Sequence, residues 1–438
     1  MEKTFAMISL GCAKNLVNSE QMLYLLDEAG FTLVPEPEGA ELAIVNTCGF
    51  IDAAKSEAID TILELAELKN EGKLGGLIVT GCLSERYRDS ILDELPEIDA
   101  VLGVGSFGDI VGAANAVLEG RKASLFGDRN APVDEIPRVV STGPSWAYLR
   151  IAEGCDNFCA FCAIPYIRGR YRSRSMENVI SEAKDLAAHG VKELIVIAQD
   201  ITRYGTDLYG KRCLAQLCRE LAKIEGVAWI RLHYLYPDQF DDELIDEIAS
   251  NDKIVKYLDI PIQHINNAIL KRMNRRGTGD EIRALFRTLR ARIPGLVLRT
   301  SLIAGLPGEG EAEFEELCEF LKEARIERAG IFPFSPEEGT PAAKMAHVDA
   351  EEAQRRADLI MQLQAPIMDE FCQSFVGRTI RVLVTDYDEE SRQWVGRCYA
   401  DSPDIDGEVY FEGYAREGEF SEVRITAAED GILYGEEA

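Results

Sequence analysis

The sequence has 438 residues, which is enough for about three domains and excludes a small scaffold held together by disulfides. Acidic residues number 76 against 47 basic ones, and the net charge of −29 excludes indiscriminate binding to polyanions and favours a basic partner. The start Met1-Glu2-Lys3-Thr4-Phe5 lacks the features of a signal peptide, the 11 cysteines are sparse, and no apolar segment approaches the ~20 residues that span a bilayer. We therefore expect a cytoplasmic protein without a membrane partner, whose cysteines are thiols or metal ligands.

A short apolar run, a cysteine and a stretch with helical periodicity occur three times in the first part of the chain. The apolar runs at residues 5–10, 42–46 and 77–80 lead directly to Cys12, Cys48 and Cys82. One βα unit of a parallel sheet needs about 30 residues, so each cysteine would follow the carboxyl end of a strand. The helical stretches cover residues 19–29, 52–68 and 84–95, and a fourth unit runs from residues 100–102 into 109–118. The pattern predicts an open, doubly wound parallel sheet, in which ligands bind beyond the strand ends.

A second α/β series follows residues 121–143, whose prolines and glycines predict a linker. Helical stretches such as residues 176–189 and 311–324 alternate with predicted strands in this series. The strands cover residues 147–151, 193–198, 228–233, 257–260, 296–303 and 329–332. Six βα units predict a full or partial barrel of the (β/α)6 type, with its active site at the carboxyl ends of the strands.

The last part of the chain changes character after a polar helix at residues 350–371. Alternating or β-branched runs predict a small all-β domain, and they occupy residues 379–384, 393–399, 408–411 and 422–426. Residues 375–438 contain 6 basic and 16 acidic residues, a net charge of −10, and residues 1–143 contain 11 and 24, a net of −13. The acidity is therefore concentrated in the two flanking regions.

Three closely spaced cysteines directly follow the first predicted strand of the second series, in the sequence Gly154-Cys-Asp-Asn-Phe-Cys-Ala-Phe-Cys. Cys155, Cys159 and Cys162 have the spacing C-x-x-x-C-x-x-C, and three such thiolates can hold a 4Fe–4S cluster whose fourth iron stays open to a substrate. Zinc is an alternative, although structural zinc sites usually combine two complete cysteine pairs. Three buried thiols in a loop are the other alternative.

The three cysteines of the first series form a second set, because equivalent positions in successive βα units point to one locus. If Cys12, Cys48 and Cys82 meet, three thiolates again hold a cluster with an open iron. The alternative is three unrelated cysteines in the core, where thiols behave as small hydrophobic groups. We assign that ordinary structural role to the cysteines that share no pattern, namely Cys213, Cys218, Cys318, Cys372 and Cys398.

The triplet at residues 155–162, with Phe161 before its last cysteine, resembles the signature of the radical S-adenosylmethionine (radical SAM) enzymes. The resemblance implies that SAM binds the open iron, that an electron from the cluster cleaves it, and that a deoxyadenosyl radical then takes a hydrogen from the substrate. Residues 302–309, Leu-Ile-Ala-Gly-Leu-Pro-Gly-Glu, resemble the stretch that lines the SAM pocket, so Gly305 and Gly308 are candidate SAM-binding residues. A glycine-rich turn before a helix explains the same two glycines equally well.

The two cysteine sets together resemble the methylthiotransferase family over nearly the whole chain. The stretches around Cys12, Cys48 and Cys82 match its three N-terminal motifs, and the C-terminal β segment resembles its TRAM domain. The resemblance implies an enzyme with SAM and two 4Fe–4S clusters, one that generates the radical and one that presents methylated sulfur. An electron donor and a sulfur source are then further partners. The implied domains are an N-terminal methylthiotransferase domain at residues 1–120, a linker at 121–143, a radical SAM domain at 144–374 and a TRAM-like domain at 375–438.

Several short stretches resemble the RimO branch of this family, which modifies a protein: residues 11–20, 48–55, 197–200, 257–264 and 334–341. That branch adds a methylthio group to the β-carbon of an aspartate in ribosomal protein S-twelve of the small subunit, which becomes the implied partner, free or on the small ribosomal subunit. Asn18 departs from the branch, where aspartate is more frequent, and we expect little consequence because Ser19-Glu20 is retained. The alternatives are methylthiolation of a transfer-RNA adenosine and, further, a non-catalytic iron–sulfur carrier or TRAM-like binding protein.

Charge favours the protein substrate, because an acidic platform attracts basic ribosomal proteins and repels nucleic acid, which disfavours transfer RNA as a partner. Two local basic runs lie beside the predicted strand ends: Arg168, Arg170, Arg172 and Arg174, and Lys271, Arg272, Arg275 and Arg276. They are interpreted as solvated faces, as contacts to ribosomal RNA or, for Arg168 and its neighbours, as groups that orient the substrate carboxylate.

Overall fold

The computed structural model describes residues 3–438, apart from the side chain of Asp89, so Met1 and Glu2 of the predicted start lie outside the described residues. The chain divides into two compact units. The first unit comprises Met1–Ser141, Ala152–Arg174 and Ser335–Ala343, and the second comprises Thr142–Ile151, Ser175–Phe334 and Lys344–Ala438.

Strands and helices alternate through most of the described chain. The strands β1 to β19, in chain order, are Lys3–Ser9, Phe31–Leu33, Leu42–Thr47, Gly76–Gly81, Ala100–Leu102, Ala123–Leu125, Trp146–Arg150, Ala152–Glu153, Arg172–Ser173, Glu193–Ile197, Trp229–Leu232, Ile254–Asp259, Val297–Ala304, Arg328–Pro333, Thr379–Asp388, Gln393–Arg397, Val409–Glu412, Phe420–Glu429 and Ile432–Glu437. The helices α1 to α13 are Ala13–Glu28, Asp52–Asn70, Cys82–Tyr87, Asp89–Glu94, Ile110–Leu118, Ile164–Arg168, Met176–Ala188, Leu214–Ala222, Asp242–Ser250, Asn267–Arg272, Gly279–Arg292, Glu311–Ala324 and Ala350–Gln373.

The first unit contains the predicted doubly wound sheet. Its six strands are parallel and lie in the order β2-β1-β3-β4-β5-β6, so the strands that precede Cys12, Cys48 and Cys82 are immediate neighbours. The register aligns the ends of these three strands, since Ser9 lies beside Asn46 and Asn46 beside Thr80. In such folds ligands bind beyond the carboxyl edge where the strand order reverses, and here that edge carries the cysteines.

The two faces of this sheet bury separate apolar clusters. One face packs Val45 and Val79 against Ile62 and Leu65 of α2. The other packs strand residues such as Ile44 against Met22 of α1 and against α5. Full burial of an aliphatic side chain stabilises a fold by roughly 1.5–3 kcal/mol, so both helical layers hold the cysteine edge firmly.

In the first sheet and its helices, local boundaries differ from the sequence expectation in four places. Helix α1 begins at Ala13, directly after Cys12, rather than near residue 19. The predicted helix at 84–95 is two short helices, because Arg88 adopts a left-handed φ of 45° between them. The three-residue strands β2 and β6 were not predicted, and β6 lies inside the predicted linker.

The second unit contains an open, six-stranded parallel sheet in the order β14-β13-β12-β11-β10-β7. All six strands coincide with the predicted runs to within a few residues, which confirms the partial-barrel prediction. Helix α11 between β12 and β13 begins with a capping box, in which Thr278 accepts from the Glu281 N–H and Glu281 accepts from the Thr278 N–H.

The C-terminal strands close into a five-stranded barrel in the order β15-β16-β17-β19-β18. Four of these strands were predicted, and the fifth, β19, was missed. It pairs parallel to β17 and antiparallel to β18, and these two pairings close the barrel.

A loop of this small barrel contacts the parallel sheet of the same unit. Asp401 pairs with Arg328 at 2.6 Å, and the Tyr257 hydroxyl donates to Asp406 at 2.6 Å. Arg231 of β11 donates to the carbonyl of Tyr399 at 2.9 Å. The acidic loop therefore pairs with charged and polar side chains of the sheet strands. No helix among residues 3–438 combines the length and apolar character of a transmembrane segment.

Candidate functional site

Cys12, Cys48 and Cys82 meet at the carboxyl edge of the first sheet. Cys12 is the N-cap residue of α1, Cys48 follows β3, and Cys82 is the first residue of α3. Asn15 contacts all three positions: its N–H donates to the Cys12 carbonyl at 2.8 Å, its Nδ2 donates to the carbonyl of Thr47, the residue before Cys48, at 2.8 Å, and its Oδ1 lies 3.7 Å from Cys82 Sγ. The structure thus brings together the three residues that the repeated βα pattern singled out.

Glycines beside these cysteines allow the close approach. Gly11 has a φ of +89°, and a Cβ atom added to it would lie 2.7 Å from the Cβ atom of Cys48. A Cβ atom on Gly49 would lie 2.7 Å from the backbone nitrogen of Leu83, next to Cys82. Any larger side chain at these two positions would separate the three cysteines.

Two buried asparagines, Asn15 and Asn46, bond the backbone near the three cysteines. Asn15 Nδ2 donates to the carbonyls of Leu10 at 3.1 Å and Thr47 at 2.8 Å, which joins the loops before Cys12 and Cys48. Asn46 Nδ2 donates to the Asn15 carbonyl at 2.8 Å and to Ser19 Oγ at 2.9 Å. These bonds fix the backbone that carries the thiols.

Arg168 reaches the same locus from α6, the helix that follows Cys162. Its Nε and Nη2 atoms each lie 3.3 Å from Cys82 Sγ, and Nη2 also donates to Asn15 Oδ1. Nη1 donates to Asn18 Oδ1 at 3.1 Å and to Glu153 at 3.0 Å. Asn18 therefore contacts the guanidinium directly, and the expectation that asparagine here has little consequence stays a prediction.

The surroundings give the three thiols different pKa values. Burial opposes ionisation of Cys12, but the Lys14 ammonium and the Arg168 guanidinium outweigh it, so the pKa of Cys12 lies below its ordinary value. Burial raises the pKa of Cys48 to about 11, and the neighbouring Cys82 thiolate adds to the increase. Burial also raises the pKa of Cys82, against the opposing charge of Arg168.

Glu337, far along the sequence, holds the backbone around two of these cysteines. Its buried carboxylate accepts from Arg86 at 2.8 Å, from Lys55 at 3.0 Å and from the Asp52 N–H at 3.1 Å. Arg86 also donates to the carbonyl of Gly49, the residue after Cys48, at 2.8 Å. The motif at residues 334–341 therefore contributes to the cysteine site of the same unit.

Cys155, Cys159 and Cys162 lie in a loop of the first unit. The antiparallel pair β8 and β9 closes the base of this loop, and the Cys155 N–H donates to the Gly169 carbonyl at 3.1 Å. The Cys162 N–H donates to the Cys159 carbonyl at 2.9 Å, just before α6 begins. Ile167 of α6 and Ala163, the N-cap residue of that helix, pack against Cys82, so the two cysteine sets lie on directly contacting elements.

The donor chemistry of both sets fits an iron–sulfur cluster. Among the described residues, no three Cys, His, Asp or Glu side chains form a group that could hold a single metal ion. A 4Fe–4S cube is larger than one ion, so its ligand sulfur atoms lie farther apart than those of a zinc site. At the N-terminal set, the buried Arg168 guanidinium beside Cys82 would offset part of the negative charge of a cluster and its thiolate ligands.

Gly305 and Gly308 belong to the second unit, in the turn between β13 and α12. A Cβ atom on Gly305 would lie 2.4 Å from the Cβ atom of Ala353, and one on Gly308 would lie 1.2 Å from Arg272 Nη1. Packing against Ala353 therefore requires Gly305, and both glycines have a positive φ, 78° and 87°, as the ordinary interpretation of a glycine-rich turn expects. Their predicted contact with SAM stays a prediction.

Glu309 fixes this turn and was not singled out by the sequence. Its carboxylate accepts from the Gly305 N–H and from Arg356, each at 2.9 Å, and lies 3.2 Å from His264 Nε2. Burial opposes its ionisation, but His264, Gly305 and Arg356 hold the pKa of Glu309 below its ordinary value. The turn is therefore held in place before any ligand binds.

Much of the two basic runs is engaged within the protein. Arg174 is buried and paired with Glu135, whereas Arg170 is exposed and lies over the Phe158 ring. In the second run, Arg275 donates to the Pro261 carbonyl at 2.6 Å, and Arg276 pairs with Asp238 at 2.9 Å. The runs are therefore not continuous solvated faces.

Three family models match the chain. The Radical SAM superfamily matches residues 149–321, an uncharacterized protein family (UPF0004) matches residues 4–103, and the TRAM domain matches residues 376–437.

Solved radical SAM enzymes share the fold. The methyltransferase TsrM from Kitasatospora setae, solved with cobalamin and a 4Fe–4S cluster, has a TM-score of 0.56 at 15% identity, over 78% of this chain and 74% of that chain. OxsB, a cobalamin-dependent SAM radical enzyme, has a TM-score of 0.53 at 14% identity, over 82% of this chain and 56% of that one.

Family, fold and cysteine pattern define a radical SAM methylthiotransferase, an enzyme that uses an iron–sulfur cluster and SAM. A protein named ribosomal protein uS12 methylthiotransferase RimO from Acetivibrio thermocellus is 47% identical over 447 residues, covering 100% of this chain and 98% of that protein. The protein of the same name from Caldanaerobacter subterraneus subsp. tengcongensis is 48% identical, covering 99% of this chain and 100% of that protein. The chain belongs to the RimO family of methylthiotransferases.

Proposed function

We propose that this enzyme adds a methylthio group to the β-carbon of an aspartate in ribosomal protein uS12, the S-twelve protein of the small subunit. The full-length similarity to proteins named uS12 methylthiotransferases supports the substrate. The main support for a reaction with two clusters is that Cys12, Cys48 and Cys82 lie together. Cys82 also packs against the helix that follows Cys162.

The proposal assigns one 4Fe–4S cluster to each cysteine set. Cys155, Cys159 and Cys162 would hold the radical cluster, and Cys12, Cys48 and Cys82 the second one. When bound, these clusters and SAM supply the radical and the methylated sulfur. Asn15, Glu337 and Arg86 keep the second set in place through the bonds described above, and the Glu309-held turn presents Gly305 and Gly308 to SAM.

We propose that the chain has four regions: a methylthiotransferase domain at residues 1–120, a linker at 121–143, a radical SAM domain at 144–374 and a TRAM-like domain at 375–438. The net charge of −10 on the last region supports a basic protein substrate rather than transfer RNA, because like charges repel nucleic acid. An electron donor and a sulfur source complete the reaction, and we propose that it takes place in the cytoplasm.

Mass spectrometry of a strain that lacks this protein tests the proposal. We expect uS12 to lose a mass equal to one CH2S group, and transfer-RNA adenosines to keep their modifications. The intact gene should restore the uS12 mass, whereas a Cys155→Ser variant should not. Loss of a methylthio group from a transfer-RNA adenosine, with uS12 unchanged, would contradict the proposed substrate.

A further inference from the structure

Arg168 is a buried cation whose guanidinium is directed at one sulfur atom. Only 3% of its surface is exposed, and it lies six positions after Cys162, at the end of α6. Its Nε and Nη2 atoms lie 3.3 Å from Cys82 Sγ, within the range for N–H···S hydrogen bonds. Two donors from one rigid, planar group therefore reach a single cysteine of the N-terminal set.

The rest of the guanidinium is held by other side chains. Nη1 donates to Glu153 Oε2 at 3.0 Å and to Asn18 Oδ1 at 3.1 Å, and Nη2 donates to Asn15 Oδ1. Each nitrogen of the group thus has a partner, so the guanidinium is fixed in its orientation. Ile167 of the same helix and its N-cap residue Ala163 pack against Cys82, which keeps the arginine and the sulfur at this distance.

We infer that Arg168 positions the Cys82 sulfur and raises the reduction potential of the centre formed by Cys12, Cys48 and Cys82. The inference rests on the proposed function, in which these cysteines hold a 4Fe–4S cluster. Taking up one electron makes such a centre more negative, and hydrogen bonds to a ligand sulfur together with a nearby positive charge stabilise that reduced form. Arg168 supplies both, whereas Glu153 offsets part of its charge.

A redox titration of the anaerobic holoenzyme, followed by electron paramagnetic resonance with and without SAM, tests the inference. Without a sulfur source the N-terminal centre holds no added sulfur for SAM to methylate, and in the proposed function SAM then binds only the radical cluster, so the signal that SAM leaves unchanged belongs to the N-terminal centre. We expect Arg168→Gln to shift the midpoint potential of the SAM-insensitive signal to more negative values and to leave that of the SAM-sensitive signal in place. Arg168→Lys keeps the charge but not the planar pair of donors, and its shift should be smaller.

Two further variants keep the test decisive if Arg168→Gln fails to fold. Asn18→Asp adds a carboxylate beside Nη1, which offsets the guanidinium charge, so the same signal should shift in the same direction. Arg174→Gln removes another buried arginine of the same run, the one paired with Glu135, and should leave the potential unchanged.

The two possible failures are distinguishable. A wild-type holoenzyme with a single, SAM-sensitive signal and about four iron atoms would contradict the proposed function itself. Two signals whose potentials stay at the wild-type values in Arg168→Gln, Arg168→Lys and Asn18→Asp would overturn only the inference about Arg168.

Discussion

Lys55 and Glu337 are 282 positions apart in the sequence, yet Lys55 Nζ donates to Glu337 Oε2 at 3.0 Å. The same carboxylate oxygen accepts from Arg86, which in turn holds the carbonyl of Gly49. Lys55 lies on the helix after Cys48, and Arg86 lies on the helix that begins at Cys82. One buried carboxylate therefore connects the elements that carry two of the three N-terminal cysteines.

We predict that Glu337→Gln lowers the thermal stability of the protein and the iron content of the N-terminal centre. Lys55 and Arg86 would lose their buried countercharge, and breaking a buried pair in this way typically costs about 3–5 kcal/mol. The measurements are the melting temperature and the iron content after anaerobic reconstitution. Glu338→Gln, at the exposed neighbouring position, is the matched control and should behave like the wild type. Unchanged values in Glu337→Gln would contradict the assigned role.

Metal content tests the ligand assignment of the radical cluster. The reconstituted protein should hold about eight iron atoms, as two cubes with three cysteine ligands each. Replacing Cys155, Cys159 and Cys162 with Ala should halve this number and abolish SAM cleavage, as measured by iron analysis and by deoxyadenosine formation. Replacing Cys213, Cys218 and Cys318 with Ala is the control, because these thiols are assigned no ligand. The assignment is wrong if the first variant keeps its full iron content.

Stability at low pH tests the ion pairs between the small barrel and the parallel sheet. Glu193 accepts from Arg231 and from Arg397, each at 2.7 Å, and these arginines outweigh burial and lower the pKa of Glu193. Because its pKa is lower in the folded than in the unfolded state, its contribution to stability is present above about pH 4.3 and is lost as the pH falls further.

We therefore predict that Glu193→Gln destabilises the protein by about 3–5 kcal/mol near neutral pH, where two buried arginines lose their countercharge. The difference from the wild type should shrink as the pH falls below about 4. Urea unfolding at several pH values measures both effects. Glu220→Gln, which removes a surface pair with Lys223, should change stability by no more than about 1 kcal/mol. A difference that stays constant down to low pH would rule out this electrostatic origin.

Charge reversal tests whether the acidic C-terminal domain captures the basic substrate. We predict that changing the exposed Asp386, Glu389, Glu390 and Glu417 to Lys slows uS12 binding and weakens its salt dependence, while SAM cleavage is unchanged. Exposed charges farther apart than ~8 Å are largely screened at physiological ionic strength, so the effect should be greatest at low salt. Glu419 is left intact because it pairs with Lys192.

The control for this experiment carries the same change in net charge on another element. Reversal of the exposed Glu57, Asp60, Glu64 and Glu67 on α2 serves this purpose. Binding rates measured over a range of salt concentrations should fall more in the C-terminal variant than in this control. Equal rates in both variants would show that the acidity of the C-terminal domain has no role in capture beyond its share of the net charge.

The meeting of the N-terminal cysteines could be predicted from the sequence, because the βα repeat and the rule that parallel strands share a carboxyl edge are both local. The neighbouring positions of β1, β3 and β4 made that prediction correct. Strand β2 was missed because three residues carry too little periodicity, and Phe31 alone of them is buried. The fifth strand of the small barrel was missed for a related reason, since its end is charged and its pairing with β17 is long-range.

The role of Arg168 could not be predicted, because its partners come from three separate parts of the sequence. Asn15, Asn18, Cys82 and Glu153 become its neighbours only after the helix α6 packs against α3. In the sequence, its position in an alternating arginine run indicated a solvated face or a nucleic-acid contact. Glu337 was hidden for the same reason, since a charged residue in a turn gives no signal of burial.

The most direct measurement for this account separates the two half-reactions in a single variant. Cys12, Cys48 and Cys82 are replaced with Ala in the full-length protein, which is then reconstituted and incubated with SAM, a reductant and uS12. The account predicts that deoxyadenosine is formed while uS12 gains no mass corresponding to a CH2S group. A folded variant that still methylthiolates uS12, or one that forms no deoxyadenosine, would contradict the assignment of sulfur delivery to one cysteine set and radical formation to the other.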